Sequence, residues 1–199
     1  MDIMKSYLIR YQKKNQHSDK ESLTLVHIGS IYNGRNIKEF IKGLIKFSNT
    51  TKRKINFNVV GFLDNQAKRD IETIKSELNK SNVKLNIIGT VDHSKAIEYL
   101  INSDISVVLT HIKGSNYAIP GKTFECIGAE KPIIAITEDK CLIDLIDKKY
   151  GECSKHDSNE IEEKLHIILN STYDFSDKVK FTREEQARRI IQYLLLKST

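Results

Sequence analysis

The chain has 199 residues, 39% hydrophobic and 29% charged, which describes a globular domain able to bury a core and excludes disordered and fibrous classes. Its 32 basic and 26 acidic residues leave a net charge of +6, a mild excess that suits an anionic small ligand, an acidic membrane surface or a nucleic acid about equally. No apolar run reaches the length of a membrane span, Met1–Arg10 lacks the apolar centre of a signal peptide, and neither RNP-type aromatic strands nor zinc-ligand spacings occur. Nucleic acid is therefore not an expected partner, and the expected location is cytoplasmic.

Residues 1–21 form a polar segment carrying Lys5, Arg10, Lys13, Lys14 and Lys20, read as a linker that a helix could occupy. From residue 22 to the end the chain reads as one domain. Short Val- and Ile-rich runs at Leu23–Ile28, Ile55–Val60, Val83–Ile88, Ile105–Thr110 and Ile133–Thr137 end at Gly, Asp or polar residues, as buried parallel strands do.

Between them lie apolar stripes of helical period. Ile37, Phe40, Ile41, Leu44 and Ile45 form one, Ile71, Ile74 and Leu78 a second, and Ala96, Ile97 and Leu100 a shorter third. Ile161, Leu165, Ile168 and Leu169 repeat the pattern. A final helix over 182–197 opens with the capping box Thr182-x-x-Glu185 and carries Ile190, Ile191, Leu194 and Leu195. Strand–helix–strand alternation of this kind predicts right-handed crossovers and an α/β fold with a Rossmann-like, doubly wound parallel sheet in three layers. Such sheets bind ligands beyond the carboxyl ends of their strands, so the loops after Ile28, Val60, Ile88 and Thr110 are the ones to inspect.

The first loop, Gly29-Ser30-Ile31-Tyr32-Asn33-Gly34-Arg35-Asn36, has the glycine spacing of a P-loop, yet Arg35 and Asn36 stand where that motif needs Lys and Ser or Thr. What remains is a Gly-bearing turn at a helix start, where free amides and the helix dipole favour an anion, with Arg35 as a cation and Asn36-x-x-Glu39 as a cap. Gly61-Phe62 and Gly89-Thr90-Val91 open the next two loops. After the fourth strand, Pro120 suits the first position of a helix, and Lys122 and Glu125 then share a helical face. Lys122 beside a helix start points to a phosphate, and Glu125 to a ribose diol. An exposed Lys–Glu pair is the plainer alternative, and the residues alone leave both open.

The run Ile119-Pro120-Gly121-Lys122-Thr123-Phe124-Glu125-Cys126-Ile127-Gly128-Ala129-Glu130-Lys131-Pro132-Ile133-Ile134-Ala135 resembles the "PxKxxEYxAxGKPVIA" signature of glycosyltransferases with the GT-B fold, especially the family-4-like, group 1 kind. Gly89-Thr90-Val91, Ser103-Asp104-Ile105-Ser106-Val107-Val108 and the first strand and loop resemble further elements of that family in the same order. Leu142–Ile146 through Gly151 matches the stretch before its short last strand.

The resemblance implies the C-terminal half of a GT-B enzyme, holding a UDP- or GDP-sugar as donor substrate, with no separate cofactor. It would place Glu125 on the ribose, Lys122 and Thr123 near the diphosphate at the Gly121 helix start, the backbone of Thr90 and Val91 on the base, and Arg35 at the position of the phosphate-binding lysine. Gly29, Gly61 and Gly121 would let backbone approach the ligand. Two positions depart from the pattern: Ser30 replaces the usual arginine after the first-strand glycine, and Tyr117 replaces the first glutamate of the E-x(7)-E pair.

The acceptor half of such an enzyme would precede Leu23 and is the expected partner. Acceptors that are saccharides or lipid-linked sugars, as in polysaccharide biosynthesis, put peripheral association with the inner face of the membrane among the expectations. No D-x-D motif points to a metal-bridged alternative. The readings that compete are a non-catalytic Rossmann-like interaction module and a GT-B-like epimerase, for which no acid/base carboxylates stand out. Cys126, Cys141 and Cys153 read as reduced thiols, and His17, His27, His93, His111, His156 and His166 as structural residues without metal spacing.

Overall fold

In the computed structural model, which describes residues 21–32, 34–112 and 119–196, the strand runs become one six-stranded, all-parallel sheet. The strands are β1 (Ser22–Ile28), β2 (Lys54–Val60), β3 (Val83–Gly89), β4 (Ile105–Leu109), β5 (Ile133–Ile136) and β6 (Gly151–Ser154), in the spatial order β3-β2-β1-β4-β5-β6. The order reverses between β1 and β4, which are neighbours in the sheet but not in the chain.

Among the described residues seven α-helices connect or follow the strands: α1 (Ile37–Thr51), α2 (Asn65–Asn79), α3 (His93–Ile101), α4 (Gly121–Gly128), α5 (Lys140–Ile146), α6 (Ser158–Asn170) and α7 (Arg183–Leu196). Their starts follow from local side chains. Asn36 accepts from the Glu39 amide at 3.2 Å, Asp64 from that of Ala67 at 2.8 Å, and Asp157 from those of Asn159 and Glu160, both at 3.0 Å. Thr182 likewise accepts from the Glu185 amide at 3.3 Å, ahead of α7.

Alternation along the strands splits the core in two. Leu23, Leu25, Phe57 and Val59 face the stripes of α1, α2 and α6, with Phe40 and Ile74 fully buried. Val26, Ile28, Ile133 and Ala135 face α3, α4 and α5, together with Tyr150 and Phe175. This is the expected three-layer, doubly wound arrangement.

The ends of the elements shift by a residue. β3 runs on through Gly89, whereas β4 and β5 stop before Thr110 and Thr137, whose amides still bond to the Ile136 and Ser154 carbonyls as the chain turns away. Pro120 is the cap of α4 rather than its first residue, because its ψ of 129° is extended. The C-terminal segment is anchored by Asp177, which accepts from Tyr150 Oη and Lys149 Nζ, before a short 3-10 turn leads into α7. No residue of α7 is buried.

Candidate functional site

The two ladders of β1 end differently. Pairing with β2 runs through Ile28↔Val60 and resumes as a bridge between Ile31 and Leu63, so these two loops travel together. Pairing with β4 stops at His27↔Val107. Beyond that pair β1 and β4 part, and a cleft of about 360 Å³ opens where the strand order reverses. Its walls are the first loop (Gly29, Ser30, Tyr32, Arg35), the end of β4 and the start of α4 (Pro120, Gly121, Lys122), with His27 and Cys126 among its lining residues.

Among the described residues two cations line this cleft. Arg35 folds back over its own loop, where Nη1 donates to the Ser30 carbonyl at 2.7 Å and the guanidinium lies 4.6 Å from the centre of the Tyr32 ring. Its Nε–H is buried without a hydrogen-bond partner among the described residues. Lys122 lies in the first turn of α4, and its ammonium stands 3.3 Å from each carboxylate oxygen of Glu125. Glu125 also meets His93 Nε2 at 3.2 Å, joining the start of α3 to that of α4 at the rim.

The start of α4 differs from those of α1, α2, α5 and α6, which are capped by the side chains of Asn36, Asp64, Asp139 and Asp157. Pro120 offers no capping side chain, and the first turn of α4 carries no acidic residue. The Thr123 amide turns back to the Pro120 carbonyl at 2.9 Å, which leaves the Gly121 and Lys122 amides at the helix start without a side-chain cap among the described residues. Uncapped amides, a lysine and an arginine around one cavity make a receptor for an anion.

His27 is the polar residue of the cleft that the sequence reading set aside. It sits on β1 in a buried apolar run, is 3% exposed, and its Nδ1 lies 3.0 Å from the Val107 carbonyl. A carbonyl only accepts, so Nδ1 carries the hydrogen and Nε2 is a bare acceptor. Burial is the main reason the imidazole is lowered to about 4, with the Arg35 charge acting in the same direction and the Val107 hydrogen bond against it. The one available signal was a histidine interrupting Leu-Val-His-Ile just before the loop glycine.

The remaining predicted residues distribute as follows. Gly29, Ser30, Arg35, Gly121 and Lys122 line the cleft, and Glu125 stands at its rim through the pair with Lys122. Gly61 and Thr90 line a second, shallower depression of about 200 Å³ with Phe62, Lys68 and Ile87. Gly61 has a further reason to be glycine, since a Cβ there would lie 2.2 Å from the Gly29 carbonyl oxygen. Val91 packs against the core layer of α3–α5. Thr123 is fully buried, with its hydroxyl unpartnered among the described residues, and is not among the residues lining the cleft. Tyr117 lies outside the described residues. Among the described residues no cluster of three or more His, Cys, Asp or Glu side chains could hold a metal ion, and no helix is long and apolar enough to cross a membrane.

The sequence matches no protein-family model and no curated protein. Solved structures do match. The C-terminal domain of a glycosyl transferase group 1 family protein, LpcC, from Francisella tularensis is 17% identical with a TM-score of 0.61, over 81% of this chain and 84% of that one. The lipopolysaccharide outer core galactosyltransferase WaaB is 13% identical with a TM-score of 0.68, over 90% of this chain and 50% of that one. The Methanocaldococcus jannaschii UDP-GlcNAc 2-epimerase, solved with UDP-GlcNAc and UDP, is 14% identical with a TM-score of 0.58, over 98% of this chain and 49% of that one. The chain thus spans about half the length of the last two. At these identities the likeness is one of fold, and the fold of this chain is that of the C-terminal domain of the GT-B glycosyltransferases.

Proposed function

We propose that this chain is the nucleotide-sugar donor-binding domain of a glycosyltransferase, taking a UDP- or GDP-sugar and working with an acceptor-binding half on a second domain. The observation that carries the reading is the cleft at the β1/β4 switch point, where the uncapped start of α4, Lys122 and Arg35 converge. Every one of these favours an anion, and a diphosphate is large enough to use all three. LpcC and WaaB are glycosyltransferases by name and the epimerase was solved with UDP-GlcNAc and UDP, which supports the same ligand class for this chain.

The arrangement also accounts for the departure at Ser30. Where the resembled pattern places an arginine after the first-strand glycine, this chain has Ser30, and Arg35 returns to bond the Ser30 carbonyl. A guanidinium therefore lies beside the Ser30 backbone, brought there from five residues on. In the transfer step the sugar–phosphate bond breaks and negative charge builds on the leaving diphosphate. Arg35, Lys122 and the α4 amides would stabilise that charge in a partly enclosed site. Glu125 would orient the ribose and takes no part in bond breaking. The acceptor, a saccharide or lipid-linked sugar at the inner face of the membrane, would come from the other half.

Calorimetry and thermal shift with UDP, GDP, ADP, TDP and their common sugar conjugates test the reading, repeated on Lys122→Ala and Glu125→Ala. At a hundredfold over its dissociation constant a true ligand stabilises the fold by about 2.7 kcal/mol. The expected result is stabilisation by one nucleotide family, with affinity reduced at least about tenfold in both variants, in keeping with the loss of a charge-assisted contact. A domain that ignores every nucleotide, or binds one equally well without Lys122 and Glu125, is not a donor-binding domain of this kind.

A further inference from the structure

His27 supplies a polar atom for which the fold has no use. Its side chain is 3% exposed, its Nδ1–H is spent on the Val107 carbonyl at 3.0 Å, and its Nε2 is buried without a hydrogen-bond partner among the described residues. Buried polar atoms left unpaired are rare in folded proteins because each forfeits its hydration without return. The atom is also well placed. A Cβ built on Gly29 would lie 4.0 Å from Nε2 and 4.0 Å from Lys122 Cγ, so Nε2 stands beside Gly29, a lining residue of the cleft that faces Lys122 on its other wall.

Chemistry narrows what it can meet. With Nδ1 donating to a carbonyl, the neutral ring offers a lone pair at Nε2 and therefore requires a donor. A phosphate diester or diphosphate oxygen is an acceptor and would serve only if the ring took up a proton, against its burial and the charge of Arg35. A hydroxyl meets the demand directly. Its hydrogen goes to Nε2, and its oxygen remains free to accept from an N–H, such as the buried and unpartnered Nε–H of Arg35 on the same cleft. Under the proposed function Glu125 already offers a carboxylate to the ribose diol, which leaves His27 to the other alcohols of the ligand. We infer that His27 is a specificity-determining residue whose Nε2 accepts a hydrogen bond from a hydroxyl of the transferred sugar.

This inference rests on the nucleotide-sugar reading, and one set of titrations separates the two. Wild type, His27→Phe and His27→Gln are titrated calorimetrically with the sugar conjugate identified by the panel above and with its bare nucleoside diphosphate, in two buffers of different ionisation enthalpy. Losing the acceptor while keeping an aromatic ring should weaken the conjugate about five- to tenfold and the bare diphosphate less than twofold. His27→Gln, which keeps an acceptor, should recover most of the difference, and wild type should take up no proton on binding. Should His27→Phe fail to fold, 15N spectra of wild type read the same point: the Nε2 resonance stays in the unprotonated range and moves with the conjugate but not with the diphosphate. Equal losses for both ligands would place Nε2 on the nucleotide, a protonated Nε2 would place it on phosphate, and an unchanged conjugate affinity would leave it without a ligand; each overturns the inference alone. A wild-type chain that binds no conjugate removes the donor-binding reading and this inference together.

Discussion

Replacing Gly61 by alanine should be far more damaging than the same change at Gly89, although one follows β2, the other ends the neighbouring β3, and both have positive φ. Gly61 has a φ of +148°, and a Cβ there would stand 2.2 Å from the Gly29 oxygen, 2.5 Å from the Gly29 carbon and 3.1 Å from the Ser30 nitrogen. All three are backbone atoms, held by the Gly29 amide bond to the Val60 carbonyl at 2.8 Å, so no side chain can swing away. Strained backbone costs of the order of 1–3 kcal/mol and forced overpacking about 1–3 kcal/mol more, giving about 2–6 kcal/mol together. Gly89 has a φ of +80° and nothing within 4 Å of its would-be Cβ, which leaves the backbone part alone. That part is about 1–2 kcal/mol. For a domain of this size each kcal/mol moves Tm by roughly 2–4 °C, so Gly61→Ala should melt about 10 °C lower and Gly89→Ala about 4 °C lower than wild type. Thermal unfolding followed by circular dichroism measures both. If the two variants melted within about 2 °C of one another, the close approach of the first two loops would not be what requires glycine at 61.

Other consequences are simpler to read. In the unfolded chain His27 titrates near its ordinary 6.5 and in the fold at about 4, so below pH 6.5 the unfolded state takes up a proton that the native state refuses. Stability should therefore fall by about 2 kcal/mol more between pH 7 and pH 5 in wild type than in His27→Phe, as urea titrations at both pH values would show; parallel pH profiles would contradict a buried neutral imidazole. Of the three cysteines Cys141 is exposed, whereas burial pushes the Cys126 and Cys153 thiols up to about 11 and about 12. A thiol reagent should accordingly modify one cysteine rapidly in the native protein and all three in denaturant, and mass spectrometry of the fast product should find Cys141. The α7 face carrying Ile190, Ile191 and Leu195, each between 58% and 64% exposed, should drive concentration-dependent self-association. Light scattering would detect it, Ile191→Glu with Leu195→Glu should abolish it, and a monodisperse wild-type monomer over a wide concentration range would refute it.

The fold was legible wherever burial and periodicity agree. Leu23–Ile28 and Ile105–Thr110 are buried nearly throughout and read as apolar runs, Ile55–Val60 alternates buried apolar residues with half-buried Asn56 and Asn58, and the stripe Ile37–Ile45 maps onto the buried face of α1. Periodicity was silent on β6, which is buried but reads Gly-Glu-Cys-Ser. Its Glu152 is 4% exposed and is accommodated by Lys164 at 3.3 Å and the Tyr173 hydroxyl at 3.2 Å, partners that only tertiary structure provides. The seven-residue α5 is likewise too short to display a helical stripe.

The site was legible as residue types and not as a surface. Arg35 and Lys122 were visible because cations beside helix starts are electrostatically conspicuous. His27 was not, because a histidine on a buried strand looks like core until the parting of β1 from β4 sets its ring beside a cleft. The pair between Lys122 and Glu125 was the harder ambiguity, and both of its readings describe the same atoms. Their side chains are 41% and 25% exposed, and an exposed pair three residues apart on a helix is worth only about 0.3–0.5 kcal/mol. A charge-assisted hydrogen bond to a ligand phosphate or ribose is worth about 1.5–3 kcal/mol. A bound nucleotide would therefore outcompete the pair at little expense, and in its absence each side chain holds the other near the position from which it would bind.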